Sequence, residues 1–292
     1  MKLSLGPNPY FWPREQTLAF YNAACDWPVD IVYLGESICS KRRELRTKDW
    51  IALANTLAAA GKEVVLSSLS LVEAESELGA LQRMVDDGRF LIEANDLSAV
   101  QACRRAGRPF VAGPTLNVYN HRTLALLLED GMQRWVPGVE QGRELIRELL
   151  NAATEAGVAL PELELIVWGR LALAYSARCF TARALDVAKD DCGFRCIEFP
   201  DGLPLKTRDG QPFLRINGIQ ILGEDVCDLG PELLEIAALG ADVLRVIPQA
   251  EQTGEVLARF RTAIETSDAL PRLGHGNGYW LGGPGFDVVP TG

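Results

Sequence analysis

Eight short apolar runs, separated by longer amphipathic stretches, constrain this chain more than any other feature. The runs lie at residues 2–5, 30–35, 63–68, 90–94, 109–113, 134–137, 163–168 and 242–247, and stretches such as 47–60 and 142–156 between them have helical periodicity. Short strands alternating with helices make a parallel sheet, because each connection must cross back over the sheet to start the next strand. About eight such units close a (β/α)8 barrel, and 292 residues exceed the roughly 250 of a plain barrel by enough for an insertion. An open doubly wound sheet shares the local pattern but normally carries a nucleotide fingerprint after its first strand. Here that turn reads Gly6-Pro7-Asn8-Pro9, with no glycine pair opening a helix and no phosphate-loop Lys-Ser or Lys-Thr. The sequence therefore predicts an α/β chain, a single parallel TIM-like barrel over 1–292.

The stretch of about 169–240, between the seventh and eighth runs, is far longer than the two to six residues usual on each side of one barrel helix. It reads as an insertion at the carboxyl-end face, where such barrels carry function. Turns are expected at 200–204 and 209–212, beside short strands at 195–199 and 213–217. The tail, 274–292, is too rich in glycine for a helix and reads as a lid or a partner contact.

Hydrophobic residues make up 48% of the chain and charged residues 23%, enough to build a core without disulfides. A net charge of -10 disfavours phosphate-backbone binding, so no nucleic acid partner is expected. The amino terminus has no basic segment leading into an apolar stretch, and no apolar run nears the ~20 residues of a membrane span. A cytoplasmic protein is the expectation. In a reducing compartment its seven cysteines, an odd number, read as thiols or metal ligands.

Cys179, Cys192 and Cys196 follow a C-x12-C-x3-C spacing inside the insertion, in the polar, turn-like setting Asp190-Asp191-Cys192-Gly193-Phe194-Arg195-Cys196. Three thiolates that converge want a fourth ligand, which could be Cys227, or Cys39 beyond the second strand if the insertion folds over the mouth. Cys25 and Cys103, beside Ala24 and Ala102 on helices, read as buried apolar thiols. Structural zinc favours tight cysteine pairs and often histidine, but one pair here is widely spaced and neither His121 nor His275 is near. A four-thiolate iron-sulfur cluster tolerates such spacing. The C-x3-C-x2-C radical type is excluded, because Phe199 stands in its third place. Glu36, Glu93 and Glu140 stand just past strands, where barrel enzymes place acid-base groups and where solvated loop acids also occur. Lys41, Arg42, Arg43 and Arg46 follow Cys39 as a basic run, which fits a solvated helix face or a neighbour of a negatively charged cluster.

The segment Trp168-Gly169-Arg170-Leu171-Ala172-Leu173-Ala174-Tyr175-Ser176-Ala177-Arg178-Cys179 resembles the signature of the collagenase-like peptidase family, a His-Gly pair followed by a Cys and then Tyr-Ser-Gly-x-Cys. Trp168 stands in place of the His, Ala172 in place of the first cluster Cys, and Ala177 in place of a Gly. The stretch from Tyr33 to Glu44 and the tail Asn277-Gly278-Tyr279-Trp280 are similar to one branch of this family, which takes its first ligand from the amino-terminal Cys. The resemblance implies a 4Fe-4S cluster on Cys39, Cys179, Cys192 and Cys196 as cofactor and metal site. It also implies a heterodimer with a UbiU-like family member that hydroxylates ubiquinone precursors without oxygen, with prephenate supplying the hydroxyl oxygen. The alternatives it leaves are a non-catalytic scaffold subunit with a structural cluster, and an RNA-base hydroxylase. The loss of the His counts against peptidase activity.

Overall fold

The computed structural model of the chain describes residues 1–273, 276–285 and 287–289. The apolar runs form strands because they are buried on both faces, as in Ile31–Leu34, whose four residues are all inaccessible. In order the elements are β1 (Lys2–Leu5), α1 (Arg14–Ala23), β2 (Ile31–Leu34), α2 (Thr47–Ala59), β3 (Glu63–Ser67), α3 (Glu75–Asp87), β4 (Leu91–Ala94) and α4 (Leu97–Arg105). Then come β5 (Phe110–Ala112), α5 (His121–Glu129), β6 (Met132–Trp135), α6 (Arg143–Glu155), β7 (Glu162–Tyr175), α7 (Phe180–Ala184), β8 (Leu203–Lys206) and β9 (Pro212–Asn217). β10 (Gln220–Asp228), α8 (Leu233–Leu239), β11 (Val243–Val246) and α9 (Thr253–Thr266) complete them. Local chemistry sets helix ends: Asp96 caps α4 at Ser98 N and Asn120 caps α5 at Thr123 N, while Gly88 ends α3 in the left-handed conformation.

β1 to β7 pair in sequence order, all parallel, and β11 pairs with both β7 and β1, closing the expected eight-stranded barrel. The main core lies between the barrel wall and the helices. A smaller cluster of Ile31, Tyr33, Val65, Val111, Val136 and Val243 fills the interior.

The interior also carries charge. Arg245 donates to Glu164 at 2.8 Å and to Glu93 at 2.6 Å, with its guanidinium 4.0 Å above the Tyr33 ring. Ser4 and Tyr33 hydroxyls donate to Glu164, and Ser67 and Asn95 to Glu93. Burial raises the Glu164 carboxyl, but Arg245, Arg134 and Ser4 outweigh it and hold the group below the ordinary carboxylate value. At the opposite end Arg134 bridges Glu63 at 2.8 Å and Glu162 at 2.7 Å.

The chain departs from expectation where β7 runs on. Instead of ending at 168, it continues through Tyr175, so residues 169–175 belong to a strand and not to a loop. Gly169 makes this possible with φ +122°; a Cβ there would lie 2.5 Å from the Ile247 Cβ. Beyond it β7 pairs antiparallel with β10, then β9 and β8 follow, so the insertion is an antiparallel sheet grown from the barrel wall. The strand expected at 213–217 is β9, but that expected at 195–199 is a 3-10 turn, Arg195–Glu198. Gly193 and Phe194, both at positive φ, turn the chain before it can extend.

Two further expectations are corrected. Cys25 is not helical but lies in the turn after α1, and Glu93 is inside β4 with its side chain in the barrel interior, not in a mouth loop. Of the tail, the described part is packed: Trp280 is buried and donates to Glu235, and Asn277 donates to Glu232. His275 and Gly274, named in the sequence reading, lie outside the described residues, as do Phe286 and 290–292.

Candidate metal centre and barrel mouth

The loop after β2 is set by Gly35, whose φ of +133° and 2.6 Å approach to the Ser67 carbonyl admit no side chain. It lets the chain turn so that Glu36 Oε1 accepts from the Ile38 and Cys39 amides, both at 3.0 Å. Cys39 is thus held at the carboxyl end of the barrel. Arg42 of the same loop is buried, donating to the Pro9 carbonyl at 2.8 Å and Asn217 Oδ1 at 2.7 Å.

The insertion brings the other thiols to this loop. Cys179 precedes α7, with its Sγ accepting from Ala182 N at 3.4 Å. Cys192 follows a 3-10 turn, Lys189–Asp191, and Cys196 lies in the next one. Two ion pairs fasten the segment down: Lys41 with Asp190, and Lys189 with Glu73 at 2.8 Å. Burial pushes the Cys39 thiol up, and Arg42 opposes that push while Glu36 and Cys179 add to it. Cys196 is also raised, by burial first, with Arg42 opposing and Cys179 adding. Lys41 lies within electrostatic reach of Cys192 and Cys39. Arg42 is thus shared by Cys39 and Cys196, Lys41 by Cys39 and Cys192, and Cys179 lies within electrostatic reach of Cys39 and Cys196, while among the described residues no three His, Cys, Asp or Glu side chains are drawn into metal-ligating geometry.

These residues fit a sulfur-ligated metal group by two observations. The donor set is all thiol, which suits iron-sulfur clusters and zinc. The Arg42 guanidinium, whose buried Nε makes no close hydrogen bond to oxygen or nitrogen, also interacts with the Cys196 thiol. Cys227 is elsewhere, buried in β10, its thiol pushed up to about 12 by burial, then by Asp228 and Glu232. Cys103 is buried in α4 as expected, and its thiol is pushed up to about 11 by burial. His121 opens α5.

Beside the thiols the barrel mouth encloses a cavity of about 420 Å³, lined by Ser37, Ile38, Tyr119, Glu140, Arg170 and Arg245 among others. Glu140 accepts from the Tyr119 hydroxyl, and Arg170 donates to Gln249 at 2.6 Å. Glu140 and Glu93 stand out in the sequence as mouth candidates, whereas the two arginines do not. Their signal was present: Arg245 is a charge inside an apolar run and Arg170 follows the strand's glycine. Trp168, in the signature's His position, is buried with its ring 6.4 Å from Phe260, away from the thiols' loop partners.

The sequence profile of Peptidase family U32 matches residues 16–199, well over half the chain, a span that holds all four candidate ligands. The chain belongs to Peptidase family U32. It is similar to the U32 peptidase Mk0906 at 13% identity, over 86% of this chain and 94% of that one, with a TM-score of 0.47. Tryptophan synthase of Mycobacterium tuberculosis matches at 14% identity over 92% of this chain and 93% of that one, TM-score 0.46. Type I 3-dehydroquinate dehydratase of Clostridium difficile matches at 9% identity over 91% and 93%, TM-score 0.41. Among the described residues no helix is long and apolar enough to cross a membrane.

Proposed function

We propose that this U32 family member belongs to the UbiV branch and is the iron-sulfur subunit of a UbiU–UbiV complex that hydroxylates ubiquinone precursors without oxygen, with prephenate as the oxygen donor. What supports the reading is the electrostatic coupling of Cys39 and Cys196 to Arg42 and to Cys179, and of Cys39 and Cys192 to Lys41, on a loop whose Ser37 and Ile38 line the mouth cavity. A 4Fe-4S cluster held there would supply one-electron chemistry. The chain's own residues have separate tasks. Lys41 and Arg42 would offset the negative charge of four thiolates, and the Arg42 guanidinium already lies against the Cys196 sulfur. The mouth cavity, with Arg170 and Arg245 in its lining, suits a small carboxylate-bearing substrate.

Anaerobic purification tests the centre: a brown protein with about four iron and four sulfide per chain is expected. A colourless protein that retains stoichiometric zinc would overturn the cluster. A scaffold role is the second reading, favoured by the ion pairs that join the insertion to the rest of the fold, Lys41–Asp190 and Lys189–Glu73, which a cluster would reinforce. A variant lacking all four cysteines that still folds, pairs and supports hydroxylation would remove both roles for the cluster.

A further inference from the structure

A second cavity, of about 470 Å³, lies between α2 and α3 at the carboxyl ends of β2 and β3, where Gly35, Glu36, Ser67 and Ser68 also line it. Its volume is that of a small-molecule pocket. One stretch of its wall is apolar, formed by Trp50 and Ile51 of α2, Val72 before α3, and Leu81 and Met84 of α3, while Ser40, Thr47, Ser67, Ser68 and Ser76 line the rest. Four arginines also line it: Arg42, which is engaged by Pro9 and Asn217, and three others, Arg43 and Arg46 from the loop before α2 and Arg83 from α3. Among the described residues, no side-chain hydrogen bond or ion pair engages any of the three. The carboxylates that share the lining are already engaged. Glu36 accepts from the Ile38 and Cys39 amides and pairs with Arg42; Glu77 accepts from Ser40 and from the Glu73 and Ala74 amides. In a chain of net charge -10, four guanidinium groups against two carboxylates around this hollow are a local reversal of sign.

From this combination we infer that the α2–α3 cavity binds a single-chain anionic amphiphile, its carboxylate or phosphate head held by Arg43, Arg46 and Arg83 and its tail laid along Trp50, Ile51, Leu81 and Met84. Guanidinium groups suit such heads because their paired N–H groups match two oxygens at once. The apolar walls alone would take any oily chain, so the arginines supply the selectivity for charge. No candidate thiol lines the cavity, although Glu36, Ser40 and Arg42 of the Cys39 loop do.

Titration of the full chain with octanoate, decanoate and dodecanoate, below their micellar concentrations, reads the inference directly. Affinity should rise with chain length, by up to about fourfold per methylene until the cavity is filled. Dodecanol should bind at least tenfold more weakly than dodecanoate. The Arg46→Glu/Arg83→Glu double variant should lose dodecanoate at least tenfold, and Ala80→Trp, which fills the cavity from α3, should lose it as well. The arginine variants are exposed substitutions, so folding is preserved even if Ala80→Trp perturbs it. Vesicles containing phosphatidylglycerol separate the two sources of such a head group. Vesicle binding that falls in the same variants assigns it to a bilayer lipid, and dodecanoate binding without vesicle binding assigns it to a free amphiphile. Dodecanol binding as tightly as dodecanoate, unchanged affinity in the double variant, or no binding of either anionic probe overturns the inference.

Discussion

Replacing Arg245 with Met tests whether the charged interior is a single electrostatic unit. The guanidinium is 1% exposed and serves two carboxylates that are equally buried, Glu93 and Glu164. Removing one partner of a buried pair costs about 3–5 kcal/mol, because the remaining charge is left without compensation. Here two carboxylates are stranded, so the loss should lie near ~5 kcal/mol, a large share of the ~5–15 kcal/mol that holds a typical protein folded. The Met side chain is close enough in length to keep the site filled, which leaves charge and not a void as the cause. Urea unfolding followed by circular dichroism measures the difference. Neutralising both acids in the same chain, as Arg245→Met/Glu93→Gln/Glu164→Gln, should recover at least ~2 kcal/mol, since a neutral interior of similar volume is often no worse than a paired one. The pH dependence gives an independent sign. Glu164 is held below the ordinary carboxylate value, so its contribution is complete above about pH 4.5 and is lost as pH falls through the lower folded value. Without Arg245 that depression disappears, and the gap between parent and variant should narrow toward pH 3. A loss below ~1 kcal/mol at pH 7, or a gap that stays constant on acidification, would refute the reasoning.

Cys39→Ala should abolish or destabilise the iron content and visible absorbance of anaerobically purified protein, while Cys227→Ala should leave both intact, since Cys227 is enclosed in β10; the opposite pair of results would move the fourth ligand to Cys227. Gly169→Ala should lower stability by more than ~2 kcal/mol, because φ of +122° and a 2.5 Å approach to Ile247 act together, whereas Gly61→Ala, at φ +85° with open space around it, should cost only about 1 kcal/mol. Equal thermal shifts in the two glycine variants would show that the strand continues past Gly169 without needing it.

The barrel was legible because burial on both faces leaves a parallel strand with no polar alternation, and runs such as Ile31–Leu34 and Val243–Val246 need no context to be read. The thiols were legible as candidates because Cys192 and Cys196 stand among polar turn residues, where an apolar core cysteine would not. What the sequence concealed was long-range. Glu93 looked like a loop acid because its partner, Arg245, is 152 residues away. The strand expected at 195–199 failed because Gly193 and Phe194 adopt positive φ, a choice that periodicity does not encode. The extension of β7 was hidden in a run of small and apolar residues, Leu171 to Ala174, that is equally consistent with a loop wall until β10 is seen beside it.

The substitution at Ala172 connects the fold to the proposed chemistry. Ala172 lines the mouth cavity from β7 and packs toward Tyr10, Trp12 and Leu222, so a thiol at this position would occupy the wall of the cavity itself. Cys39 lines neither of the two large cavities; its neighbours Ser37 and Ile38 reach the mouth, while Cys39 faces the insertion through the charges it shares with Cys179, Lys41 and Arg42. A centre that takes its first thiol from 39 in place of 172 therefore moves from the cavity wall to the rim. Under the proposed assignment, a cluster at the rim would leave the roughly 420 Å³ of the mouth, with Arg170, Arg245, Glu93 and Glu140 in its lining, open beside it. Only a segment able to leave β7, fold back along β10 and β9 and anchor itself through Lys41 and Glu73 can bring thiols from 179 to 196 onto a loop that follows β2.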